Sequence, residues 1–171
     1  MSVWSGVSVF KEPTFFYVRI LVEIGICGGG KMKEIVKIVI KGSSGYCPAD
    51  VAYEDKVTIS GDSVSYAYKP LFESEENLPR NWRYKTDSPV FRKHFHELVS
   101  VMRRVMEHDT EMFCTDIGGI EFTVTFDDKT RWKQVFWLPG DEFRECFKII
   151  RQMVPSCEKI PEVLLLSEDF E

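Results

Sequence analysis

No run of about twenty apolar residues occurs in this 171-residue chain, so no segment has the length a membrane-spanning helix needs. The most apolar stretch, Phe15 to Cys27, is broken by Arg19 and Glu23. It also lacks the basic start and small-residue cleavage site of a secretory signal. Cysteine is sparse and odd in number: Cys27, Cys47, Cys114, Cys146 and Cys157, with no CxxC or CxxxC spacing. A chain this long does not depend on disulfides, and the expected setting is a reduced cytoplasm with thiols acting as small apolar groups. Missing too are the phosphate-binding patterns GxxxxGK[ST] and GxGxxG, the GxSxG nucleophile turn, the HExxH zinc motif and the EF-hand loop. No internal repeat of about 20–50 residues is visible. No cofactor is expected.

What is present is ordinary for a globular domain: 44% apolar and 29% charged residues. At this length one domain with one real core is expected. The 22 basic and 27 acidic residues leave a net charge of −5. That balance argues against nucleic acid as a partner, because such binding needs a positive footprint to displace phosphate counterions.

Residues 28–32 read Gly-Gly-Gly-Lys-Met. Back-translated, they place a purine-rich run just upstream of an ATG, as a bacterial ribosome-binding site would look if read as protein. Met32 is therefore the expected physiological start, residues 1–31 an extension outside the fold, 32–166 the domain and 167–171 an acidic tail. The competing reading is a strand in which Phe16, Val18, Ile20, Val22 and Ile24 share one face.

From residue 35 the local signals are clear. Ile35 to Lys41 is β-branched and reads as a strand. Val57–Ser60 and Ser63–Tyr68 flank Gly61-Asp62, which predicts a hairpin on a type II′ turn with Ile59 opposite Val64 and Val57 opposite Tyr66. Trp82 to Lys85 is a candidate edge strand. Ser88-Pro89 starts a helix running to about His108, with Phe91, Phe95, Leu98, Met102 and Val105 on one face. A second hairpin joins Ile120–Phe126 to Arg131–Leu138, and a second helix ends near Met153 with Phe143, Cys146, Phe147, Ile150 and Met153 as its stripe. Val163 to Leu166 is a docked or a sticky final segment. Hairpins imply an antiparallel sheet, and two single-faced helices must bury their stripes against it. The expected fold is α+β: about five antiparallel strands with both helices on one face.

Candidate chemistry is thin. His94-Phe-His96-Glu97 holds metal-ligand types, but residues two apart on a helix point about 200° apart, so no metal site is expected. Cys47, in a Gly-Tyr-Cys-Pro turn, is a candidate nucleophile with His94 as its base, provided the loop folds over the first helix. Arg80-Asn-Trp-Arg-Tyr-Lys85 interleaves basic and aromatic residues as single-strand binders do, but its acidic neighbours weaken that reading. Trp82, Tyr84, Trp132, Phe136 and Trp137 are candidates for an aromatic binding patch on an exposed sheet face or edge. The function expected is a non-catalytic module that binds a protein partner or a second copy. The alternative is a cysteine-dependent enzyme using Cys47 and His94.

Overall fold

The computed structural model describes residues 32–45, 47–107, 118–137 and 141–169. The proposed extension 1–31, Cys27, Cys114 and His108 lie outside the described residues. In chain order the elements are β1 (Ile35–Ser43), β2 (Tyr53–Ser60), β3 (Ser63–Pro70), β4 (Arg80–Lys85), α1 (Pro89–Glu107), β5 (Ile120–Phe126), β6 (Arg131–Phe136) and α2 (Asp141–Met153), followed by short 3-10 turns at Glu162–Leu164 and Ser167–Asp169. The fold is α+β as expected, with six strands in place of about five. All neighbours are antiparallel, in the order β4-β3-β2-β1-β5-β6.

Strand alternation builds the core. Ile38 and Ile40 of β1, Val57 and Ile59 of β2, Val64 and Tyr66 of β3, and Phe122 and Val124 of β5 all turn to one face and are buried. The α1 stripe covers them with Phe91, Phe95, Leu98, Val101, Met102 and Val105, and α2 adds Phe143, Cys146, Phe147 and Ile150. Aromatic rings fill the β5–β6 end, where Phe136 meets Phe143 at 4.7 Å between centroids and Phe122 stands edge-on to Phe136 at 5.7 Å. The predicted pairs Ile59–Val64 and Val57–Tyr66 are the observed ones.

The turn at Gly61-Asp62 departs from expectation. A type II′ turn requires a positive φ at its first residue, and among the described residues only Gly45 and Lys129 have one. Side chains close the loop instead: the Ser60 hydroxyl donates to Asp62 Oδ1 at 2.9 Å and lies 2.8 Å from the Ser63 hydroxyl. The left-handed residue occurs in the other hairpin, where Lys129 (φ 68°) follows Asp127-Asp128 and Phe126 N–H reaches the Thr130 carbonyl at 3.0 Å. That is the three-residue loop of a type I turn plus a left-handed position.

The segment Val163 to Leu166 docks at its N-terminal end. Val163 and Leu164 are buried, and Gly42 makes room for them: a Cβ there would sit 2.7 Å from both Val163 Cγ2 and Asp55 Oδ1. Among the described residues, no helix is long and apolar enough to cross a membrane.

Candidate functional site

The helices cover one sheet face, and among the described residues nothing covers the other. Register arranges that open face as four rows. Across β4 to β6 the first row reads Lys85, Ser63, Ser60, Lys37, Thr125, Arg131, and the second reads Arg83, Ser65, Thr58, Val39, Thr123, Lys133. The third is Asn81, Ala67, Lys56, Lys41, Glu121, Val135, and the partial fourth holds Lys69, Glu54 and Ser43, with Trp137 beyond Val135. The last two rows enclose a concavity of about 550 Å³ lined by Lys41, Lys56, Lys69, Glu121, Val135 and Trp137, among others. Glu121 binds Lys133 at 2.8 Å and Lys41 at 3.0 Å. Burial opposes its charge, but the two lysines prevail and hold its carboxyl below the usual range.

At one end of the sheet, apolar residues meet solvent. Leu71, Phe72 and Leu78 of the β3–β4 loop are 65%, 60% and 55% exposed, and Val51 of the β1–β2 loop is 54% exposed. Leu71 N–H donates to the Ala52 carbonyl at 2.8 Å, joining the two loops. The buried Asn77 pins them from beneath, accepting from the Tyr68 hydroxyl at 2.7 Å and donating to the Asp50 carbonyl at 2.9 Å. These apolar side chains are thus held on an anchored loop. In the sequence they appear only as Leu71-Phe72 and Leu78 bracketing Glu73, Glu75 and Glu76, an apolar signal inside an acidic loop.

The same end carries a buried polar cluster. Asp55 is 3% exposed, and its Oδ2 accepts from Val163 N–H at 2.8 Å, while Oδ1 is buried without a hydrogen-bond partner. Burial pushes the carboxyl up to about 6, relieved in part by the Val163 N–H and the neighbouring Tyr66 hydroxyl. Tyr53, stacked on Tyr68 at 5.0 Å, is raised to about 12, first by burial and then by the Asp55 charge. Arg80 lies 4.1 Å over the Tyr68 ring and binds Glu162 at 2.8 Å. These contacts fasten the C-terminal segment to the sheet.

Cys47 and His94 are set apart. Cys47 lies in the β1–β2 loop, where its thiol donates to the Ser44 hydroxyl at 3.2 Å. His94 precedes Phe95, which packs against Gly61 in the turn beyond the other end of β2. Eight strand residues separate those ends, roughly 25 Å at about 3.3 Å per residue. The polar partner of His94 is Glu97 at 3.3 Å. Of the aromatic candidates, Trp82 is half-buried against Tyr66, and Tyr84, 39% exposed, meets Phe91 on the outer strand β4. Trp132 and Phe136 turn toward the helices, and Phe136 is 2% exposed. Trp137 alone among them belongs to the open face, its ring over Gly119, where a Cβ would approach it to 3.1 Å. Among the described residues, no three His, Cys, Asp or Glu side chains converge as metal ligands would. No protein-family model and no curated protein sequence matches the chain.

Proposed function

We propose that the protein is a non-catalytic interaction module that binds a protein partner at the loop end and edge of its sheet. The observation that carries this reading is the exposed apolar set Val51, Leu71, Phe72 and Leu78 on loops pinned by Asn77. Clustered exposed apolar groups mark contact surfaces, and a preorganised loop loses little entropy on binding. Among the described residues the adjoining strand β4 is a sheet edge, with Tyr84 exposed on it, and an edge strand is a surface onto which an incoming strand can pair. The enzyme alternative lacks its geometry, because Cys47 and His94 sit at opposite ends of the sheet. The setting we propose is bacterial and cytoplasmic. The Gly-Gly-Gly-Lys-Met segment supports a bacterial source, and the odd cysteine count with the free thiols of Cys47, Cys146 and Cys157 supports a reduced cytoplasm.

The test is a photo-crosslinking amino acid placed at Phe72, with Lys93 on α1 as the control position, in cells that express the protein. A discrete protein adduct from Phe72 and none from Lys93 is expected, and an adduct of twice the chain mass would identify a second copy as the partner. No adduct from Phe72, or the same adducts from both positions, overturns the reading.

A further inference from the structure

We propose that the open face of the sheet binds double-stranded nucleic acid through its phosphates. This inference is independent of the docking reading for the loop end. Whole-chain charge counts against it, but charge is not spread evenly. Among the described residues, eight of the 19 Lys and Arg lie on this one face, against two of the 21 Asp and Glu. The eight are Lys37, Lys41, Lys56, Lys69, Arg83, Lys85, Arg131 and Lys133, and all are exposed. Lys41 and Lys133 share Glu121, and Lys85 lies 3.5 Å from Asp62. Among the described residues, Lys37, Lys56, Lys69, Arg83 and Arg131 have no carboxylate within ion-pair distance.

Folding alone does not favour this pattern. Lys41 stands directly opposite Lys56 across β1 and β2, and like charges at paired positions destabilise a sheet. The groups between the cations are small and polar: Ser60, Ser63, Ser65, Thr58, Thr123 and Thr125. Lys, Arg, Ser, Thr and Asn are the side chains that contact phosphate oxygens, whereas Lys and Ser are depleted from the cores of protein interfaces. Among the described residues, the face offers only Trp137 as a stacking ring, at one corner, and single-strand binders depend on successive stacked bases. Six strands about 4.8 Å apart set the outer cations roughly 24 Å from each other. That separation exceeds a major groove about 12 Å wide, so the face can meet phosphates on both strands.

Fluorescence anisotropy of the full chain with a short labelled DNA duplex tests the proposal. With five counterions released, affinity should fall by about 500-fold between about 50 and 200 mM salt. Combining Lys37→Glu, Arg83→Glu and Arg131→Glu should weaken binding more than tenfold and reduce the salt slope by roughly three. All three positions are exposed, and an unchanged thermal melt confirms that the variant folds. Three reversals on the helix side, Arg92→Glu, Lys93→Glu and Lys148→Glu, should leave binding within about twofold. The proposal is overturned by an absence of duplex binding or by equal losses from both triple variants. It is also overturned if a single strand of the same length, or poly-glutamate, binds as tightly as the duplex.

Discussion

Replacing Asp55 by Asn removes a buried carboxylate whose titration should make the fold more stable in mild acid. The group sits at about 6 in the folded protein because burial penalises its charge, against an ordinary value near 3.9 in an unfolded chain. The folded state therefore binds more protons than the unfolded state between those values, and stability falls as pH rises through the window. The full effect, about 3 kcal/mol, is present below the unfolded value and is lost as pH passes the folded one. Between pH 7.5 and 4.5 the wild type should gain about 2 kcal/mol relative to Asp55→Asn, which cannot titrate. Urea unfolding at the two pH values reads this directly: with a slope near 2 kcal/mol/M, the gap between the two midpoints shifts by about 1 M. Comparing the two proteins cancels groups titrating the other way, such as Asp128, which hydrogen bonds from Lys33 and Thr130 hold down at about 2. A gap that stays constant with pH, or moves the opposite way, would refute the account of Asp55.

Gly42→Ala should destabilise by about 1–3 kcal/mol, because its Cβ would meet Val163 and Asp55 at 2.7 Å; an unchanged urea midpoint would remove the argument for close docking. Phe122→Ala should cost about 3–5 kcal/mol by emptying the centre of the ring cluster formed with Phe136, Phe143 and Phe147. In native thiol labelling read by peptide mass, Cys157 should react and Cys146 should not until the chain unfolds, since burial pushes the Cys146 thiol up to about 12. A chain starting at Met32 should keep the midpoint and slope of the full chain; a loss of several kcal/mol would refute the reading of residues 1–31 as an extension.

Local pattern alone determined most of the elements. Residues 35–41, the hairpin about Gly61-Asp62, the α1 start at Pro89 and the α2 end at Met153 all carry short-range signals: β-branching, an N-terminal proline, apolar stripes at helical spacing. Even the register of β2 on β3 was legible, because a two-residue loop leaves one pairing that puts Val57, Ile59, Val64 and Tyr66 together. The turn type was not, since hydrogen bonds among Ser60, Asp62 and Ser63 decided it. Strand order was beyond reach for a different reason. β1 lies between β2 and β5 only because the chain returns after α1, and that pairing joins Ile38 to Val124 across a long stretch of sequence. The site followed the strand order. Whether Trp137 and Val135 faced solvent or core depended on the register of β6, and Cys47 and His94 were separated by the full length of β2. The sequence counts 22 cations and 27 carboxylates and yields an acidic protein. Only side-by-side strands, each turning alternate residues outward, collect eight of those cations on one surface.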